Sequence, residues 1–217
     1  MIGPIKNIHI FILWCFFFQT VHCMDDSKKA IFTLITGPVQ SGKTTLLFDL
    51  MHEAQKKEPV IMFRHSGEHK PCQELQTFSS RGNSIIQGYE INNCKDIFLL
   101  ASKHGEPNVV GIDNIQFFNE NTIRSVVNYF RNKKKKVFAA GLDLDFRGEP
   151  FGCIPALFAL SDVKNQLQAL CAQCGKHAAY SQRLCKGKAT NYDLMVSEGE
   201  DVKYEPRCAN CFQKPQK

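Results

Sequence analysis

Eight residues limit this chain more than any other feature. Gly37-Pro38-Val39-Gln40-Ser41-Gly42-Lys43-Thr44 matches GxxxxGK followed by Ser or Thr, and its flanks supply the context such a loop needs. Ala30 to Thr36 is a short apolar, β-branched run that reads as a buried strand. Beyond it, Leu46, Leu47, Leu50, Met51 and Ala54 recur at helical spacing. A glycine-rich turn between a strand and a helix lets backbone N–H groups curl around phosphate oxygens, with the positive helix end aimed at them. Gly37 to Gly42 then form the cradle, Lys43 neutralises β- and γ-phosphates, and Thr44 reaches a magnesium ion. Within the cradle, the backbone of Val39 and Gln40 matters more than their side chains.

The same alternation continues. Val60 to Phe63 reads as a second strand, Ser84 to Tyr89 as another, and Asp96 to Lys103 as a short helix, while residues 67–83 are polar and read as loop. Asn108 to Asp113 is a buried strand ending in an acid, and Asp113 at the end of such a strand can hold the metal or its waters. Ile123, Val126, Val127 and Phe130 fall at i, i+3, i+4 and i+7, an amphipathic helix. Lys136 to Gly141 is a further strand, Leu142 to Gly152 a Gly- and Pro-punctuated loop, and Pro155 to Ser161 helical. Alternation of this kind implies an α/β fold, a P-loop (RecA-like) parallel sheet with helices on both faces.

After Leu167 the alternation stops and cysteines take over. The 217-residue chain has 10, of which four form two pairs, Cys171-x-x-Cys174 and Cys208-x-x-Cys211. Four thiolates at this spacing make a closed, tetrahedral and therefore structural Zn²⁺ site. The 33 residues between the pairs exceed ribbon spacing, so a segment must loop out. The remaining cysteines, and His65, His69, His104 and His177, have no ligand spacing and read as core, surface or loop residues. The expected organisation is an extension at 1–23, a nucleotide-binding domain at 24–166 and a zinc-binding lobe at 167–217. A net charge of +6 suits a polyanionic ligand and is too small to argue for nucleic acid.

The extension carries an apolar run, Ile8 to Phe18, preceded by Lys6. It is too short to span a bilayer and has the size of a signal-peptide core. No small-residue cleavage site follows, since the run ends Gln19-Thr20-Val21-His22-Cys23. A start at Met24, with an upstream artefact before it, fits better than a targeting segment or an ordered extension. The functional chain is then expected in the cytoplasm, away from membranes, where thiols stay reduced.

Together these features resemble the type II thymidine kinase family. The resemblance is carried by GPVQSGKTT, IDNIQFF (Ile112 to Phe118), GLDLDFRGEPFG (Gly141 to Gly152), Ala178-Ala179-Tyr180-Ser181-Gln182-Arg183, and both cysteine pairs, with YEPRC (Tyr204 to Cys208) leading into the second. It spans Ala30 to Phe212, and FRGEPFG looks more like bacterial members than animal ones. The resemblance implies transfer of the ATP γ-phosphoryl to the 5′-hydroxyl of thymidine with Mg²⁺, a zinc-held lobe carrying a lasso loop, and a homotetramer. It implies that Asp113, Asn114, Ile115 and Gln116 join the P-loop around ATP, with Arg64 near the transferred phosphate. Phe117, Leu142, Phe146 and Phe151 would line the thymidine pocket, Tyr204 would close it, and backbone groups around Met195 to Glu200 would read the base edge.

One departure stands out. At residues 113–116 the family pattern is Asp-Glu-x-Gln, and the Glu is its proposed general base. Here that position is Asn114. An amide can hold a hydrogen bond to the hydroxyl but cannot take its proton near neutral pH. Losing a positioned base typically lowers the rate by about 10²–10⁴. Three readings follow: a working kinase, slow or using another base; a nucleotide-binding pseudokinase; and, least supported, a zinc-ribbon nucleic-acid binder.

Overall fold

The structure, a computed structural model, describes residues 30–67, 74–79, 85–189 and 202–215. The apolar run of the extension and the backbone expected to read the base edge lie outside the described residues.

The first strand, β1 (Phe32–Thr36), is buried along its whole length, as its apolar, β-branched composition requires. It leads through the Gly-rich loop into α1 (Lys43–Gln55). There follow β2 (Val60–His65), β3 (Gln76–Ser79), β4 (Ile85–Ile91), α2 (Asp96–Lys103), β5 (Val109–Asp113), α3 (Glu120–Asn132), β6 (Lys136–Gly141), α4 (Ile154–Leu160) and β7 (Val163–Gln166). The seven strands form one sheet in the order β3-β4-β2-β5-β6-β1-β7. Only β3 pairs antiparallel, against β4; every other pairing is parallel.

Residues alternate between the two faces, as the pleat demands. Ile35, Met62, Val109 and Ala140 pack with Leu47, Phe48 and Met51 of α1. Phe32, Leu34, Ile61, Phe63, Val110, Ile112, Val137 and Ala139 pack the other way, with buried residues of α2, α3 and α4. Helices therefore cover both faces. Asn119 caps α3, its side chain accepting from Thr122 N at 3.2 Å. Parallel pairing brings the C-terminal ends of β5, β6 and β1 to one edge. There Thr36 sits opposite Gly141 on one side and Gln166 on the other.

Two edge strands depart from the sequence reading. Gln76–Ser79, within the stretch read as loop, is β3, and Val163–Gln166, for which no strand was expected, is β7. Each pairs on one side only, so neither needs the continuous apolar run of a central strand.

The chain then forms two small antiparallel sheets. β8 (Ala169–Leu170) pairs with β9 (His177–Ala178), and β11-β10-β12 joins β10 (Tyr180–Cys185), β11 (Lys188–Ala189) and β12 (Val202–Arg207). The apolar cluster here is small: Ala169 of β8 and Ala178 of β9 with Cys171 and Cys208, and Cys211 against them. Among the described residues no helix is long and apolar enough to cross a membrane.

Candidate active site

The P-loop takes the backbone path its glycines allow. Gly37 has φ 144° and Gly42 φ 85°. A Cβ on Gly37 would stand 2.3 Å from the Leu167 carbonyl oxygen, so only glycine fits there. Gly42 offers no side-chain cap to α1, leaving the first helical N–H groups directed into the loop. Lys43 Nζ donates to Pro38 O at 2.5 Å and to Ser41 Oγ at 3.4 Å. Burial lowers its pKa to about 8, while the carboxylates of Asp143 and, more weakly, Asp113 hold it up. The Val39 N–H, a donor of the cradle, is met by Ser181 Oγ of β10 at 3.0 Å.

Asp113, at the C-terminal end of β5, organises the next layer. Thr44 Oγ1 donates to its two oxygens at 3.3 and 3.4 Å. Arg64 Nε donates to Oδ2 at 3.2 Å, and the Asn114 N–H to Oδ1 at 3.0 Å. Burial pushes the Asp113 carboxyl pKa up, and Arg64 acts against that rise. Paired registers place Arg64 beside Asp113 on neighbouring strands. A hydroxyl and a carboxylate converging beside a phosphate cradle are the hard oxygen donors that suit Mg²⁺. Asn114 adopts a left-handed conformation (φ 57°, ψ 37°), which asparagine tolerates better than most residues. Its Nδ2 donates to His65 O at 3.4 Å.

Beyond Asn114 the chain makes a 3-10 turn, Ile115–Phe117. Ile115 is fully buried in the core, and Gln116 is buried with its Oε1 accepting from Leu142 N at 3.2 Å. The turn is gripped from the other side by Gly152, where a Cβ would stand 2.1 Å from Gln116 O. Cys153 Sγ donates to Ile115 O at 3.1 Å, and burial pushes that thiol up to about 12. Phe117 is 46% exposed and makes an edge contact with Phe151, ring centroids 5.4 Å apart. Leu142 directly follows β6, half-buried, and its N–H is the donor to Gln116. The Phe146 ring carries the guanidinium of Arg183 at 3.5 Å from its centroid and that of Arg147 at 5.0 Å. Tyr204, 44% exposed, sits opposite Arg183 in the β10–β12 register.

Several of these contacts are not evident in the linear sequence. His65, read as a surface or loop residue, ends β2 half-buried, its ring 4.7 Å from Phe118 and 5.3 Å from Phe117. Its Nδ1 accepts from Gly67 N at 2.9 Å, and burial lowers its pKa. His104 bonds the Tyr89 hydroxyl at 2.7 Å rather than facing solvent alone. Ser181 and Asp143 lie inside two of the motifs that carry the resemblance. Their signal is positional: an acid two residues past a strand that ends beside a P-loop faces the ligand edge of an α/β sheet.

The four paired cysteines come together. One sulfur from each of Cys171, Cys174, Cys208 and Cys211 lies within 4.8 Å of the others, and Cys174 and Cys208 are 3.6 Å apart. Tetrahedral zinc with Zn–S bonds of about 2.3 Å needs sulfurs roughly 3.8 Å apart, so the set can hold that ion. Both pairs sit on tight turns, with Gly175 N donating to Cys171 O and Cys211 N to Cys208 O. At Cys171 burial opposes the thiolate, but backbone N–H groups of Cys208, Gln173 and Cys174 bring its pKa to about 6. Bonds with Cys174 and Cys208 push Cys211 up to about 12. A bound cation would draw the protons off all four sulfurs and hold them together.

A thymidine kinase family model matches residues 30–212. A thymidine kinase of Bacteroides fragilis (strain YCH46) is 35% identical over 198 residues, covering 91% of this chain and 94% of that protein. Two solved structures show a weaker likeness. A DNA replication initiation factor is 14% identical with a TM-score of 0.37, covering 65% of this chain and 41% of its own. A replication initiator DnaA bound to AMPPCP and single-stranded DNA is 15% identical with a TM-score of 0.38, covering 66% and 42%. The chain thus spans about two fifths of the length of either, and likeness at that level carries no functional argument. The match across nearly all of the described residues, with the P-loop, the acid-ended strand and the four-cysteine cluster in one structure, does: the chain belongs to the type II thymidine kinase family.

Proposed function

We propose that this protein transfers the γ-phosphoryl group of MgATP to the 5′-hydroxyl of thymidine. The observation that carries the reading is the convergence of Lys43, Thr44, Arg64 and Asp113 at the sheet edge, beside a rim of Phe117, Leu142 and Phe151. Gly37 to Gly42 wrap the phosphates and Lys43 neutralises them, leaving its bond to Pro38 as they arrive. Thr44 and Asp113 would hold Mg²⁺, which shields the phosphate charge when bound. Arg64, oriented by its bond to Asp113, stabilises charge that builds on the transferred group. Asn114, Ile115 and Gln116 shape the wall between the two substrates, Asn114 through its amide and the other two through the turn they form. The flat base stacks against aromatic rings, Phe117 and Phe151 on one side, with Phe146 and Tyr204 completing the enclosure. Cys171, Cys174, Cys208 and Cys211 would hold a structural Zn²⁺, which would close a lobe whose own core is small.

The same reading divides the chain at 24–166 and 167–217, sets it in the cytoplasm, where reduced thiolates are available to zinc, and makes it a homotetramer. A second reading, nucleotide binding without turnover, draws on one observation, the amide at position 114. Incubation with MgATP and thymidine, followed by chromatography for thymidine monophosphate and ADP, separates them. Turnover that Lys43→Met abolishes supports the kinase. ATP binding with no product, in wild type and in Asn114→Glu alike, supports the second reading.

A further inference from the structure

With an amide at position 114, the proton of the attacking hydroxyl needs another acceptor. Three titratable groups near the site can be set aside on geometry. Asp113 is buried and its two oxygens already accept from Thr44, Arg64 and the Asn114 N–H. His65 accepts at Nδ1 from Gly67 N, so the neutral ring carries its proton on Nε2 and offers no free lone pair. Glu90 lies opposite Arg64 on β4, two strands from Asp113 on β5, about 10 Å away at the usual strand spacing and beyond hydrogen-bond reach.

Asp143 is placed differently. It follows β6 by two residues, and β6 lies between the strand that ends in Asp113 and the strand that leads into the P-loop. Its Oδ2 accepts from Gln166 Nε2 at 3.2 Å. Gly141 and Gln166 flank Thr36 on opposite sides, so this bond passes over the end of β1 where the phosphate cradle begins. Its Oδ1 accepts from Leu144 N at 3.1 Å, and its own carbonyl accepts from Phe151 N at 3.0 Å. The carboxylate is thus fixed from both sides, half-buried, next to two residues of the nucleoside rim. Two of its roughly four acceptor positions are used, which leaves capacity for a proton. Its charge acts on Lys43 more strongly than that of Asp113, in keeping with a position over the loop.

We propose that Asp143 is the general base of this chain, taking the proton that Asn114 cannot. The inference rests on the thymidine kinase reading above. In the step, the 5′-O–H bond breaks and its electron pair stays on oxygen, which forms the new bond to the γ-phosphorus. The bond from that phosphorus to the β,γ-bridging oxygen breaks, its pair leaving with ADP. The proton passes to an Asp143 oxygen and from there to solvent.

The test is a kinetic comparison of wild type, Asp143→Asn, Asn114→Glu and the double variant, with calorimetric binding of MgATP to each. Asp143→Asn is expected to lower kcat by about 10²–10⁴ while MgATP affinity stays within about threefold. Adding Asn114→Glu to that background is expected to recover at least tenfold, because the carboxylate returns on the other side of the site. If Asp143→Asn does not fold, Asp143→Ser against Asp143→Glu makes the same comparison, with the glutamate the faster. A kcat within threefold of wild type in Asp143→Asn, or a loss that Asn114→Glu does not recover, overturns the inference and leaves the kinase reading intact. So does a wild type with no turnover beside an Asn114→Glu variant that turns over. No thymidine phosphorylation by wild type or Asn114→Glu overturns the kinase reading itself, and the inference with it.

Discussion

Arg64 and Asp113 face each other across β2 and β5, guanidinium Nε to carboxylate Oδ2 at 3.2 Å, and the acid is buried. Burial alone drives the Asp113 pKa up, and Arg64 works against it. Arg64→Met should therefore raise that pKa further. A carboxyl whose folded pKa lies above its unfolded one adds stability only at low pH, and loses it as pH rises through the folded value. The variant should thus be about 2 kcal/mol less stable than wild type near pH 7, a figure reduced for the partial exposure of Arg64. Near pH 4 the difference should shrink. Urea unfolding at the two pH values checks this.

Lys43 presents the opposite sign. Its folded pKa, about 8, lies below the ordinary lysine value, so its contribution is present above the unfolded pKa and lost as pH falls through about 8. At pH 7 the free protein carries a poorly solvated ammonium. Lys43→Met should raise the melting temperature of the nucleotide-free protein by a few degrees, with a smaller gain at pH 9.5. The same variant should lose the further rise that MgATP gives wild type. Thermal melts with and without MgATP read both effects.

Gly152 tests the grip on the turn after Asn114. It has φ 51°, and a Cβ there would meet Gln116 O at 2.1 Å. The left-handed backbone and the overlap act together, so Gly152→Ala should lose about 3 kcal/mol. Because the contact falls on the turn that carries Phe117, kcat should drop at temperatures where the variant is still folded. Denaturation midpoints and steady-state rates separate the two losses.

Phe117 makes the converse case. Nearly half exposed, it touches His65 and Phe151 but no deep core. Phe117→Ala should leave the melting temperature within about 3 °C, since exposed substitutions cost little. The KM for thymidine should rise about tenfold with the KM for ATP unchanged.

Zinc removal should act regionally. A chelator strong enough to strip four thiolates should release about one Zn²⁺ per chain. Hydrogen exchange should then accelerate in β8 to β12, whose apolar cluster is built largely of the cysteines themselves. The seven-stranded sheet, packed by α1 on one face and α2 to α4 on the other, should keep its protection.

How much of this was legible depends on whether information was contiguous. Central strands such as Val109–Asp113 announce themselves because burial on both faces forces an unbroken apolar run. Edge strands such as Val163–Gln166 do not, since one side needs no partner and polar residues are tolerated. The P-loop was readable for the same reason as β5: its chemistry lies in adjacent residues. The Asp143–Gln166 bond was not, because it exists only through the register of β6 and β7 on either side of β1. His65 is equally hidden, because a histidine at the end of a strand looks like the start of a loop until the rings of Phe117 and Phe118 close on it.

The bond between Val39 N and Ser181 Oγ joins residues 142 positions apart. With Leu167 N donating to Thr36 O and its carbonyl pressed against Gly37, it makes the cysteine-rich lobe one wall of the phosphate cradle. An engineer who wished to graft a different metal-bearing tail onto this sheet would inherit a condition stricter than folding. The replacement must return a hydroxyl, at that height and angle, to a loop that lies before it in the chain by more than half the molecule. Transplanting the first 166 residues alone would carry over the recognisable motif and leave behind part of the surface that shapes it.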